Sequence, residues 1–225
     1  MKRRMEILAC PRSAGAGVFG ITAQGLPVTV TPCFTPGTRI ATPKGEVAIE
    51  DLRVGDTVVT RDNGLKPIRW MGNRRITGRE LAADPHVQPV LIRAGALGNG
   101  LPERDMALSP NHRVLVSSDQ TRLYFEEREV LVSAKHLVNN RGVFEVQSLG
   151  ITYIHMLFDR HEVVLSNGSW SESFQPEDLT LRGIGNAQRQ EIFEIFPELS
   201  PARRDAQYRP ARRVLTQQEA LRLRE

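Results

Sequence analysis

The chain has 225 residues, 40% apolar and 25% charged, a balance that suits a globular protein with a core of its own. A net charge of +4 is small and dispersed, so the composition gives no argument for nucleic acid, and no apolar run is long enough to cross a bilayer. Cys10 and Cys33 are the two cysteines; they lie far apart with no Cys-x-x-Cys pair, which excludes a disulfide framework and leaves the redox compartment open.

Lys2, Arg3 and Arg4 form a basic start, but Glu6 and Pro11 interrupt the apolar stretch that follows, so it makes a poor signal peptide. Residues 1–27, rich in Gly, Ala and Ser, read as a flexible leader. Val28–Thr31 is a short strand signal, and Pro32 biases Thr31 towards extended backbone. Cys33 follows at once, ahead of the Thr35-Pro36-Gly37 turn. Taken alone, a single cysteine is as well explained as a small buried hydrophobe. A thiol at the first position of a β-rich region, with a loose peptide in front of it, also suggests chemistry on the bond that joins the two.

Short strands are expected over 38–42 and 47–52 around Pro43-Lys44-Gly45, and over 57–60. Asp62-Asn63-Gly64 is a hairpin signal returning through 67–71. Residues 73–105 carry frequent Gly, Pro and Asn, and Pro89–Ile92 is their one clear strand. Strands resume at 106–108 and 113–117. Ser118-Asp119-Gln120 reads as a turn, with strands over 123–125 and 130–132 after it. Ala134–Leu137 fits one helical turn. Strands are then expected over 143–146, 153–158 and 161–165, with Asn167-Gly168 closing a hairpin to 169–174. Many short strands at even spacing predict an all-β domain.

After Gly183 the period changes to that of helices, with Ile192, Phe193, Ile195 and Phe196 at helical spacing. Thr216-Gln217-Gln218-Glu219 is a capping box ahead of a second helix. Helices are expected over 186–196 and 216–224, in an Arg-rich tail spanning 183–225. That tail reads either as a surface for an anionic partner or as a solvated helix with one apolar edge on the β domain.

Four residues carry candidate chemistry. Ser109-Pro110-Asn111-His112 sits between two strand signals, so a hydroxyl and an imidazole three residues apart can face one point. The imidazole can hydrogen-bond an amide and later protonate a leaving amine. His161 opens a strand and can reach a site at its end. His155 alternates with apolar residues and reads as a satisfied core or semi-core histidine. Cys33, His112 and His161 lack the short ligand spacing of a metal site; no metal or cofactor is expected.

Together these pieces resemble a known family. Cys33-Phe34-Thr35-Pro36-Gly37-Thr38 with Ile49-Glu50-Asp51-Leu52-Arg53-Val54-Gly55-Asp56 looks like the N-terminal block of Hint domains, the autoprocessing module shared by Hedgehog proteins and inteins. Ser109-Pro110-Asn111-His112 looks like the Thr-x-x-His block with Ser for Thr. Asp159 to Gly168 looks like the late block ending in an Asn-Gly turn. The Ile68–Gly72 and Trp170–Ser173 stretches look like a bacterial Hint subfamily. The resemblance covers about residues 28–182.

It implies a compact, pseudo-symmetric all-β horseshoe of many short strands with a short helical C-terminal tail. It implies that the Cys33 thiol attacks the Pro32 carbonyl in an N-to-S acyl shift, giving a thioester. His112 would hydrogen-bond and protonate the Cys33 nitrogen, Ser109 would support the same peptide, and His161 would assist near the thioester. The substrate would be the chain's own N-terminal flank, and a small nucleophile or water would resolve the thioester. Two departures from the family pattern shape the reading. Asn167-Gly168 is followed by Ser-Trp-Ser-Glu-Ser and not by an intein terminus, which favours Hedgehog-like cleavage without splicing. Only 32 residues precede Cys33, so the expected product is a peptide. The alternative is a Hint-shaped scaffold that has lost the reaction and serves as a binding or secretion-associated module.

Overall fold

Tight turns that force neighbouring strands into antiparallel pairs set the architecture. The computed structural model describes residues 31–176, 184–196 and 209–224. Strands β1 (Arg39–Thr42) and β2 (Gly45–Ala48) form one hairpin, and β3 (Thr57–Thr60) and β4 (Gly64–Pro67) a second. β12 (Val163–Ser166) and β13 (Ser169–Glu172) form a third. Its two-residue loop is Asn167-Gly168, with φ of 46° and 76°. Positive φ at both central residues matches the right-handed twist of the flanking strands, and Asn-Gly tolerates it best.

These hairpins join β8 (Arg113–Val116) and β9 (Val130–Ser133) in a sheet of order β2-β1-β12-β13-β8-β9, with β3 flanking β12 and β4 beyond β3. The remaining strands make two smaller ladders. β6 (Val90–Ile92) lies between β7 (Met106–Leu108) and β10 (Val143–Glu145). β5 (Trp70–Thr77) pairs along its whole length with β11 (Gly150–Leu157). Phe34 links these two ladders, bridging Leu108 of β7 on one side and Ile154 of β11 on the other. Its N–H donates to the Ile154 carbonyl and its own carbonyl accepts from Ile154 N–H, both at 2.9 Å.

Two stretches differ from the sequence expectation. Ser118–Phe125 is not a turn and a strand but a capped helix, α2 (Asp119–Phe125). Ser118 Oγ accepts from Thr121 N–H while Thr121 Oγ1 returns to the Ser118 backbone, so the cap outweighs the β propensity of Leu123-Tyr124-Phe125. The ambiguous stretch from residue 73 holds most of β5. It then turns into α1 (Gly78–Ala83) through a capping box in which Thr77 and Glu80 satisfy each other's amides. Ala134–Leu137 forms the short helix α3. The expected leader, residues 1–27, lies outside the described residues.

The main core gathers Phe34, Ile40, Ile49, Leu108, Met156 and Phe158 between the sheets. A second cluster sits over Trp70, Leu157 and Phe174, covered by Ile184, by Ile192 of α4 (Asn186–Ile195) and by Phe196 just after it. The last described segment runs beside β9. Leu131 N–H donates to the Arg213 carbonyl, and Leu215 N–H donates to the Leu131 carbonyl. Arg212 pairs with both Asp62 and Glu129, and α5 (Gln217–Leu221) follows behind its Thr216 cap.

The Ile192→Ala variant removes a fully buried side chain from the cluster over Trp70. It is expected to lower the unfolding free energy by about 2–5 kcal/mol, read from urea titration of the full chain. An unchanged midpoint would show that α4 is not docked there.

Candidate functional site

The double pairing of Phe34 places the residue before it. The Cys33 carbonyl accepts from Ser109 N–H at 3.0 Å, at the point where β7 gives way to the Ser109–His112 turn. That turn closes on itself through His112 N–H to the Ser109 carbonyl, 3.0 Å. Ser109 Oγ then grips the segment preceding Phe34 twice. It accepts from Cys33 N–H and donates to the Thr31 carbonyl, each at 2.8 Å. A hydroxyl carries one donor and spare acceptor capacity, so one serine satisfies both groups.

Cys33 is buried, with 2% of its surface exposed. Its thiol donates to the Thr31 carbonyl at 2.9 Å and lies 3.3 Å from Thr31 Oγ1 and 3.6 Å from His155 Nε2. Burial pushes the thiol up to about 12, against the hydrogen bonds from Thr31 and Ser109 and the charge of Arg74, all of which favour the thiolate. At rest the sulfur is therefore protonated.

His155 is where sequence reasoning fell short. It is buried and both ring nitrogens are satisfied, as expected, but the groups that satisfy it belong to the segment just ahead of Cys33. Nδ1 lies 3.1 Å from the Pro32 carbonyl oxygen, and Nε2 lies 3.2 Å from Thr31 Oγ1. A carbonyl oxygen only accepts, so Nδ1 carries the proton and Nε2 keeps its lone pair on the sulfur side. Burial pushes this imidazole down to about 4, against the Pro32 hydrogen bond, which works to raise it. One local signal existed in the sequence: a polar ring amid the apolar β11.

His112 lies beside the same segment. Its ring packs edge-on against Phe34, with centroids 4.4 Å apart. Both ring nitrogens are buried without a hydrogen-bond partner among the described residues. Burial pushes it too down to about 4. The expectation that His112 holds the Cys33 amide is corrected here, because that N–H is already given to Ser109 Oγ. His161 belongs to a different network. Its Nδ1 accepts from Ala211 N–H at 2.9 Å, and its Nε2 lies 3.2 Å from Glu172 Oε2, near enough for an ion pair but off the line of a hydrogen bond. Glu172 also holds Arg113, at its backbone N–H and its guanidinium. The contacts of His161 are thus with Glu172 and the Ala211 amide. Among the described residues no cluster of three or more His, Cys, Asp or Glu side chains is placed to hold a metal ion.

Residues 32–178 match the Hint domain family, starting one residue before the buried thiol. The chain belongs to the Hint domain family. Its all-β fold is that of a self-processing domain. Among solved structures it is similar to a bacterial intein-like domain from Clostridium thermocellum, at 15% identity and a TM-score of 0.41, covering 65% of this chain and 100% of that one. It is also similar to the TvoVMA intein, at 10% identity and a TM-score of 0.42, covering 63% and 97%. No curated protein matches the sequence.

Two outcomes follow from the buried, uncharged state of this Hint site. In a Cys10→Ser background, iodoacetamide should alkylate Cys33 at least ~10³-fold more slowly in the folded chain than in urea, because the thiolate is the nucleophile and burial suppresses it. Equal rates would mean that the thiol is exposed.

The second concerns acid stability. Both His112 and His155 are depressed from an ordinary value near 6.5. The unfolded chain therefore binds protons first as pH falls. Their stabilisation is whole above about pH 6.5 and is lost progressively towards about pH 4. Urea midpoints should fall across that window, and less steeply in His112→Leu, which removes one of the two rings. An identical slope in both proteins would show that His112 titrates normally.

Proposed function

We propose that this Hint domain cleaves its own chain between Pro32 and Cys33, by an N-to-S acyl shift followed by attack of an external nucleophile on the thioester. The observation that carries the reading is the bracketing of a single peptide. The Pro32–Cys33 amide has its carbonyl hydrogen-bonded to His155, its N–H hydrogen-bonded to Ser109, and the Cys33 thiol on its own residue. Such fixing of the reacting atoms turns a slow bimolecular attack into an intramolecular one.

Cys33 is the nucleophile. Ser109 holds the Cys33 nitrogen and the Thr31 carbonyl so that the segment cannot swing away. His112 delivers the proton to the Cys33 nitrogen as the C–N bond breaks; its partnerless nitrogens support this role. His161, braced by Glu172, supports the second step from the β12 side. The substrate is whatever segment the chain carries ahead of Cys33, and a small thiol, hydroxylamine or water is the partner that releases it. No cofactor takes part.

Burial of Cys33 is compatible with this order of events, since the first step is internal and needs no solvent access. The Asn167 carboxamide supports cleavage without splicing. It accepts from Arg39 N–H at 2.7 Å and donates to the Asp105 carbonyl at 3.2 Å, a turn-holding role that keeps this side chain from cyclising.

An intact-mass time course of the full chain with hydroxylamine tests the reading. The wild type should split between residues 32 and 33. Cys33→Ala should stay whole, and His112→Ala should slow by ~10²–10⁴-fold. Ser109→Ala should lose less, because water can replace part of what a hydroxyl does. Persistent cleavage in Cys33→Ala would place the nucleophile elsewhere. A folded wild type that stays whole would mark the domain as an inert scaffold.

A further inference from the structure

We propose that His155 is a catalytic residue of this site, donating its Nδ1–H to the Pro32 carbonyl oxygen while its Nε2 accepts the proton of the Cys33 thiol. The inference rests on the acyl-shift reading above and adds to it the base and the oxyanion donor.

The geometry assigns both roles to one ring. Nδ1 is 3.1 Å from the oxygen on which charge develops when the Pro32 carbonyl is attacked. A donor already in place there strengthens as that charge grows, which is how oxyanion stabilisation works. The opposite nitrogen faces the sulfur at 3.6 Å, with Thr31 Oγ1 bridging at 3.2 Å from Nε2 and 3.3 Å from Sγ. The thiol now points at the Thr31 carbonyl. Rotation about its Cβ–Sγ bond redirects the S–H to Thr31 Oγ1 or to Nε2.

A base is required. At about 12, only about one thiol in 10⁵ is ionised at neutral pH. His112 does not take this task, since its ring packs on Phe34.

The surroundings hold the ring in this pose. His155 lies opposite Gly72 in the β5–β11 ladder. Gly72 has no side chain, and a Cβ there would sit 2.1 Å from the Trp70 ring. Trp70 therefore folds over it and stacks on His155 at 6.4 Å, while Phe174 meets the ring edge at 5.0 Å. The next residue back, Ile154, carries both backbone hydrogen bonds to Phe34. Ring and nucleophile are thus fixed to the same rung of backbone.

The step balances without an outside reagent. The thiol proton moves to Nε2, Sγ bonds to the Pro32 carbonyl carbon, and the oxyanion is held by Nδ1–H. Collapse breaks the bond from that carbon to Cys33 N. His112 gives a proton to this nitrogen and is restored by the one that left the sulfur, passed on from His155, so an amide and a thiol become an amine and a thioester with both rings neutral again.

The titratable and charged groups around His155 are Cys33, Arg74 of β5 and His112; Trp70 and Phe174 pack on it uncharged. With the base built in, the wild-type cleavage rate should be level from about pH 6 to 9.

The test uses the full chain carrying a reporter ahead of Cys33, cleaved by hydroxylamine, with thermal melts of every variant. His155→Ala should be slower by ~10²–10⁴-fold. His155→Asn puts an amide donor near the Nδ1 position but offers no base. It should recover part of the rate, and that rate should climb about tenfold per pH unit where the wild type is level. Folded variants that cleave at the wild-type rate, or share its pH profile, overturn the inference while cleavage dependent on Cys33 leaves the acyl shift standing. A wild type that never cleaves fails the acyl shift itself and takes the inference with it. If both variants unfold, 15N ring shifts of the wild type decide: an Nδ1–H tautomer supports the assignment, and an Nε2–H tautomer overturns it.

Discussion

The backbone of Phe34 holds the molecule's working parts in register. Its N–H and carbonyl are both spent on Ile154, and it bridges Leu108 on the other side. One residue thereby joins the two ladders, and it delivers Cys33 to the turn that begins at Ser109. The Phe34 side chain is almost wholly buried in the main core. Displacing it would cost core packing and two buried hydrogen bonds at once. The Pro32–Cys33 peptide is held by the same contacts that hold the fold together.

Burial then decides the electrostatics. Cys33, His112 and His155 are each shifted towards their neutral forms, because an ion removed from water without a partner is costly. The buried charge nearby is paired. Glu172 is matched by Arg113 and lies beside His161. The centre therefore contains neutral, polarisable groups and a dry carbonyl. In such surroundings a hydrogen bond to a developing oxyanion is worth more than it would be in water.

Much of this was legible in the sequence, and the limits have physical causes. Cys33, Ser109 and His112 stood out because turn residues flank them, and turns are written locally. The Asn-Gly hairpin was equally plain. His155 was not, since alternation along a buried strand looks the same whether a polar ring meets solvent, core or substrate; only the pairing of Ile154 with Phe34 points it at Pro32. α2 was misread because the capping partner of Ser118 is Thr121, a residue whose own preference is for strands. β5 was seen only at its start, around Trp70, because Gly72 and Asn73 weaken its signal and its partner β11 lies far along the chain. The separate network of His161 depends on Ala211, a contact fifty residues away that no local pattern encodes.

The closing segment that runs beside β9 also settles how the large sheet ends. A strand at the rim of a sheet offers a row of unused amides and carbonyls, which is a template for any extended chain that drifts past. Leu131 has its amide and carbonyl taken by Arg213 and Leu215 in a parallel bridge. At the opposite end β2 is only four residues long, and its Glu46 is tied to Arg104. One rim is bridged at Leu131 and the other is short and charged, so neither end of that strand order offers a long open template.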